Sequence, residues 1–390
     1  MNAFGAWESL SLHVVSQRRW DLLVPAEAKA AYKNATNNPV VVNLGDEPQT
    51  MRATIWDVDL TAHLPQVRWS GLDALPRLTT LRWSGPDHGL TEAIAARPLI
   101  VDLIWNDPPS TIDLSATHLT AVTISGNGLR RLRLPPGLMN LRLTSDPPQV
   151  VEAAEDGRWI RLLATSPGHA IPSGLHGVRR LDLQVAGDLS LTGLGAAADL
   201  EELTITWTGP HGQLLDAVDL HGLRRLHTLQ LTDAYGVEAS SLPRPGTPLR
   251  RLSIGGIRRS QAKLVKARYK GTPVWVTVWG AKSDTWLAAN VSNPLRDWVD
   301  DDEQAGTAAC KAYAAALRTI DRLPSGDAMG TNARPVLHKL IAELNAIDER
   351  YEIIDTLRRE QAADAFFDLA RRANIPDSEA ADWLDEWRDF

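Results

Sequence analysis

A single cysteine, Cys310, stands in a chain of 390 residues. One thiol closes no intramolecular disulfide and leaves no cysteine cluster for zinc, and its scarcity suits a reducing compartment. Long apolar runs are missing too: nothing approaches the roughly 20 apolar residues that cross a bilayer. Met1 to Leu23 carries Glu8, His13, Arg18, Arg19 and Asp21 where a signal peptide would need an apolar core. The expectation is a cytoplasmic protein with no membrane partner. Chemistry-bearing motifs are equally scarce, with no G-x-x-x-x-G-K-[ST], H-E-x-x-H, G-x-S-x-G or dinucleotide glycine fingerprint. The ten histidines are scattered, and pairs such as His221/His227 and His169/His176 lack a third ligand at metal spacing. No cofactor and no metal site are expected. Phenylalanine occurs 4 times and lysine 8 times against 33 arginines, a bias typical of a GC-rich bacterial genome.

What the chain has is tryptophan, 14 copies, and a spacing. Apolar residues in the order L-x-x-L-x-L recur from Leu64 to Val278, most clearly at Leu78-Leu81-Trp83, Leu119-Val122-Ile124, Val178-Leu181-Leu183, Leu200-Leu203-Ile205, Leu226-Leu229-Leu231 and Leu249-Leu252-Ile254. The middle positions are Val67, Leu81, Leu103, Val122, Leu141, Leu162, Leu181, Leu203, Leu229, Leu252 and Val276, separated by 14, 22, 19, 19, 21, 19, 22, 26, 23 and 24 residues. A unit of that length cannot bury its own apolar face, so the units must stack. Proline and glycine in the short intervals (Leu134-Pro135-Pro136-Gly137-Leu138) predict extended connections. The later interval at Ser260 to Lys270 predicts a helix, stopped by Gly271-Thr272-Pro273 before a strand from Val274 to Trp279.

This pattern resembles a leucine-rich repeat protein with short, irregular bacterial-type repeats. The resemblance implies an α/β fold, a solenoid with a parallel concave sheet, and a ligand held in the concave face. Eleven strands at about 4.8 Å would make a sheet about 50 Å long. In that family an asparagine after the strand satisfies turn backbone groups. Ser125-Gly126-Asn127-Gly128-Leu129 matches, whereas the equivalent positions elsewhere hold Pro86, Pro108, Asp146, Ala186, Thr208, Ala234 and Ile257. Trp69, Trp83 and Trp105 occupy the third apolar slot of successive units and are expected to stack inside the sheet.

Three regions are expected: an N-terminal cap over residues 1–62, the repeats with a C-terminal cap over 63–299, and a helical domain over 300–390. Asp300-Asp301-Asp302-Glu303 marks the last boundary. It reads as a linker and an acidic first helical turn, since the ligand spacing and glycine of a calcium loop are missing. Helical periodicity follows over Gln304–Leu323 and Pro335–Ala373, the latter as one helix or a hairpin, and then a short helix after Pro376 with Trp383, Trp387 and Phe390. Pathogen ubiquitin-ligase effectors also join such repeats to a helical enzyme domain. Their C-x-D motif reads Cys310-Lys311-Ala312 here, so Cys310 is expected to be a small buried hydrophobe.

Residues flanking each middle leucine point out of the concave sheet. There Arg68, Arg82, Arg142, Arg161, Arg180 and Arg251 outnumber Asp102, Asp182 and Glu202, while residues 303–390 carry 11 basic and 17 acidic side chains. The overall charge of -7 disfavours a nucleic acid. The expected function is a non-enzymatic scaffold that binds a protein or peptide, acidic in character, as an immunity or adaptor protein would. Arg82, Asp102, Asn140, Arg142, Arg180, Asp182, Glu202, Gln230 and Arg251 are its candidate contacts. The C-terminal helices are a candidate surface for a homo-oligomer. The alternative is an enzyme with its active site in the helical segment or at its junction with the repeats, for which Glu352, Asp355, Arg358, Arg359 and Glu360 are the candidate groups.

Overall fold

The computed structural model describes residues 25–45, 48–61, 67–165, 171–216, 220, 222–324 and 329–390. The chain divides into two compact units, Met1–Ala281 and Lys282–Phe390. The division falls ahead of the acidic run at Asp300–Glu303.

The first unit begins with α1 (Ala26–Asn34) and an antiparallel ribbon of β1 (Pro39–Val42) and β2 (Gln49–Arg52). The chain continues through β3 (Asp57–Leu60), β4 (Thr80–Ser84), α2 (Leu90–Ala95), β5 (Asp102–Asn106), β6 (Thr111–Asp113), β7 (Ala121–Ser125), β8 (Arg131–Arg133), β9 (Asn140–Leu143), β10 (Val150–Glu152) and β11 (Arg161–Ala164). It ends with β12 (Arg180–Ser190), β13 (Glu202–Leu215), β14 (Thr228–Thr232), β15 (Arg251–Gly255), α3 (Arg259–Arg268) and β16 (Trp275–Trp279). Eleven of these strands, β3 to β16 without β6, β8 and β10, pair in chain order into one sheet. Every neighbouring pair in it is parallel.

Strand side chains alternate faces, so each middle residue points inward. Register joins Val58, Leu81, Leu103, Val122, Leu141, Leu162, Leu181, Leu203, Leu229, Leu252 and Val276 into one column. All but Val276 are buried, and that residue packs on the same core from the last strand. Ten of the eleven middle positions match the sequence reading and the first does not. Val67 lies outside the strands, Leu64 lies outside the described residues, and the first strand is β3, which puts Val58 beside Leu81.

The intervals explain the connections. Short units cross back through three-residue strands, and β6, β8 and β10 form a second parallel sheet that buries Ile112, Leu132 and Val151. Two of the longer units, Leu81–Leu103 and Leu252–Val276, hold α2 and α3, which turn Leu90, Ile94 and Val265 into the core. Leu264 in α3 is exposed, so only one face of that helix packs.

The turns after the strands depend on two devices. Gly85, Asp107, Gly126, Asp233 and Gly256 each take a positive φ directly after a strand. Asn127 is exposed, and tryptophans provide donors instead at the Gly85–Pro86 turn and at a register shift inside β12. Trp83 Nε1 donates to the Pro86 carbonyl at 2.8 Å, Trp105 Nε1 to that of Gly85 at 2.8 Å, and Trp207 Nε1 to that of Gly187 at 3.0 Å. The Gly85 carbonyl is buried, and left without a partner it would cost about 1 to 3 kcal/mol, so the Trp105 indole satisfies this turn while filling the core. Trp83 and Trp105 are register partners and buried, as expected. Trp69 is not: it opens a 3-10 turn (Trp69–Ala74), is only half buried, and meets Trp83 edge-on at 5.4 Å. Leu60, not Trp69, precedes Trp83 in the inward column.

The second unit contains α4 (Asp284–Asn290), α5 (Trp298–Asp301), α6 (Glu303–Ile320), α7 (Met329–Tyr351), α8 (Thr356–Arg372) and α9 (Asp377–Trp387). Its core gathers Leu295, Trp298, Tyr313, Leu337, Leu344, Phe366, Leu369 and Trp383. Gly306 permits a close approach, because a Cβ there would lie 2.2 Å from the Val299 nitrogen. The run from Pro335 to Ala373 is two helices. Glu352 breaks it with φ 50°, and Asp355 caps the second by accepting from the Arg358 N–H at 2.9 Å. Among the described residues no helix is long and apolar enough to cross a membrane.

Candidate functional site

Strand alternation that buries the leucines turns the flanking residues out on the opposite face of the sheet. Register joins those residues into two columns. The first reads Asp57, Thr80, Asp102, Ala121, Asn140, Arg161, Arg180, Glu202, Thr228, Arg251 and Trp275. The second reads Asp59, Arg82, Ile104, Thr123, Arg142, Leu163, Asp182, Thr204, Gln230, Ser253 and Thr277. All nine candidate contacts sit in these columns: Asp102, Asn140, Arg180, Glu202 and Arg251 in the first, Arg82, Arg142, Asp182 and Gln230 in the second. Arg68 lies outside the strands.

Three arginines of this face are taken by neighbours on it. Arg82 grips Asp57 through Nε at 3.2 Å and Nη2 at 3.0 Å, Arg161 pairs with Asp182, and Arg180 lies 3.6 Å from Glu202. The positive excess counted along the sequence is therefore largely balanced within the sheet. Arg251 is exposed and makes no ion pair among the described residues. The hydrogen bonds that Arg82 donates to the Asp57 carboxylate raise the Arg82 pKa further above the usual guanidinium value. Asp59 is held below the usual carboxylate range by hydrogen bonds from the Thr61 hydroxyl and N–H. Asp102 behaves the other way: burial and the charge of Asp57 push its carboxyl up to about 6, against the opposing pull of Arg82 and Arg142.

Character changes along the columns. Carboxylates crowd β3 to β5, ion pairs occupy the middle, and the last three strands present hydroxyls, an amide, one arginine and Trp275, with Trp279 two residues beyond Thr277 on the same side of β16. Trp275 is 73% exposed and Trp279 44%. The Trp275 Nε1 donates to the Thr277 hydroxyl at 3.1 Å, and the Trp279 indole lies across Gly255, where any Cβ would meet ring atoms at 2.5 Å. Both tryptophans were missed as contacts, although the alternation Trp275-Val276-Thr277-Val278-Trp279 puts them on the outward side.

In the second unit, Cys310 is buried, and burial with the charge of Asp297 pushes its thiol up to about 11, the reverse of an activated nucleophile. Asp355 and Arg358 brace the start of α8: Arg358 donates to the Ile353 carbonyl at 2.7 Å and pairs with Asp355 and Asp301, while Glu352, Arg359 and Glu360 point to solvent. The acidic run is likewise structural. Asp302 caps α6 by accepting from the N–H groups of Gln304 and Ala305, and Asp300 pairs with Lys282. Trp383 and Trp387 stack at 5.5 Å, with Arg334 over both rings, so these aromatics pack within their own helices. Arg334 and Trp383 also border a cleft of about 590 Å³ with Thr331, Asn374 and Glu379. Among the described residues no group of histidine, cysteine and carboxylate side chains could hold a metal ion. No family model matches the chain, and no curated protein matches its sequence.

Proposed function

We propose that the first unit is a leucine-rich repeat solenoid whose concave face, the two outward columns, binds another protein without catalysis. The observation that carries this reading is the pair of exposed indoles, Trp275 and Trp279, at one end of a largely polar face that is in register over eleven strands. Large exposed aromatics next to an arginine have the composition of an interface hot spot, and a polar surround supplies the rim. Parallel strands paired in chain order favour the solenoid, since each unit then contacts only its neighbours. The internal ion pairs favour a partner of mixed charge over a uniformly acidic one. An immunity protein or an adaptor works in this way, by area and a few anchors.

The test is affinity capture from the native host with the full chain and with a Trp275→Ala/Trp279→Ala variant, followed by calorimetry on the purified partner. The expected result is a partner retained by the wild type and weakened at least tenfold by the double substitution. Equal retention by both, together with loss on changing Arg131 and Arg133 of the smaller sheet, would move the interface off this face.

A further inference from the structure

At the carboxylate end of the face, two buried side chains have no hydrogen-bonding or ion-pair partner among the described residues. Thr80 and Asp102 are register neighbours at outward positions, yet they are 3% and 9% exposed. The Thr80 hydroxyl has no hydrogen-bond partner among the described residues. Among the described residues the Asp102 carboxylate makes no hydrogen bond and no ion pair. Arg82, in the next column, could neutralise it but turns its guanidinium to Asp57 instead. A buried carboxylate is ordinarily paired, because an unpaired one keeps its desolvation cost. The neighbouring positions on β5 and β7 are Ile104 and Ala121, both half buried, an apolar floor beside the carboxylate.

We propose that this niche receives a basic side chain, arginine or lysine, of the partner docked on the face. Its cationic end sits on the Asp102 carboxylate and the Thr80 hydroxyl oxygen, and its alkyl stem lies along Ile104 and Ala121. Charge complementarity favours that occupant: Asp57, Asp59 and Asp102 outweigh Arg82 locally, and Arg142 stands further along the second column. Basic side chains suit such a niche because their methylenes cover apolar surface while the head finds charge. The inference rests on the concave-face reading for its partner but is tested without one.

The experiment uses the full chain with methyl-labelled threonine, alanine and isoleucine and ¹³C-carboxyl aspartate, titrated with N-acetylarginine methylamide, the lysine analogue, and the uncharged glutamine analogue. The expected result is saturable shifts at Thr80, Ile104 and Ala121 with a cationic probe and none with the uncharged one. Binding should be about tenfold weaker at pH 5 than at pH 7.5, because a carboxyl titrating near 6 is largely protonated at the lower pH while the exposed Asp59 stays ionised. Binding should be lost in Asp102→Asn and retained in Asp59→Asn. Shifts that persist in Asp102→Asn, or no response to either cation, would overturn the niche. If neither cation registers but a partner is still captured through Trp275 and Trp279, the scaffold survives and the niche does not. If the cations bind and no partner depends on the tryptophans, the reverse holds.

Discussion

Replacing Asp102 by asparagine removes a charge while keeping the side chain's shape, and the structure sets the sign and size of the effect. The carboxyl titrates at about 6 in the folded chain against a reference of 3.8, chiefly because it is buried. The folded state therefore binds this proton more tightly than the unfolded state. Between about pH 4 and pH 6 the native chain carries the extra proton, so stability falls as pH rises through that window. Two pKa units correspond to about 3 kcal/mol lost in full above pH 6. Asp102→Asn should leave stability near pH 4 almost unchanged and raise it by up to about 3 kcal/mol at pH 7.5, since a neutral amide carries no charge-desolvation cost. Hydrogen exchange read by mass spectrometry on peptides spanning β4 and β5, at several pH values, assigns the change to this unit. A variant less stable than the wild type at pH 7.5, or with the same pH slope, would refute the reasoning.

Three further outcomes are expected. Leu203→Ala, in the middle of the inward column, should cost roughly 2 to 5 kcal/mol in urea unfolding, and a loss below about 1 kcal/mol would contradict a packed column there. Trp105→Phe keeps an aromatic ring but strands the Gly85 carbonyl, and should cost about 1 to 3 kcal/mol, whereas a neutral result would deny the indole its role at the turn. Cys310, buried with its thiol pushed up to about 11, should react with a disulfide reagent at pH 8 only as fast as its helical unit opens, and a rate near that of a free thiol would show the site to be accessible.

The inward column was legible because period-2 alternation repeats at every unit, and chance rarely sustains that. Its first member was not. Strand β3 offers only Val58 and Leu60, alternating with Asp57 and Asp59, while Leu64, Val67 and Trp69 nearby reproduce the apolar spacing, and Val67 and Trp69 lie outside the strands. That error hid Asp57, and with it the ion pair that holds Arg82. Inward tryptophans could be placed from the pattern, but their use as donors to turn carbonyls depends on where each turn ends. The two-helix run from Met329 to Arg372 was undecidable for a related reason, as its break falls at Glu352, a residue with no glycine or proline to announce it. All nine candidate contacts share one face because alternation alone decides sidedness. Which of them are already paired depends on neighbours some two dozen residues away, and only the register reveals that.

Pairing strictly in chain order also governs how the large sheet would yield under load. A force drawing its two ends apart meets a row of strands, each held only by the one before and the one after. Nearest-neighbour pairing of this kind lets strands be released singly from an edge. Each release frees one unit; for the step between Leu181 and Leu203, that is 22 residues, or about 75 Å of slack at roughly 3.4 Å per extended residue. Tension is thus taken up in graduated steps, with the strands still paired keeping their outward side chains in place while the edge gives way.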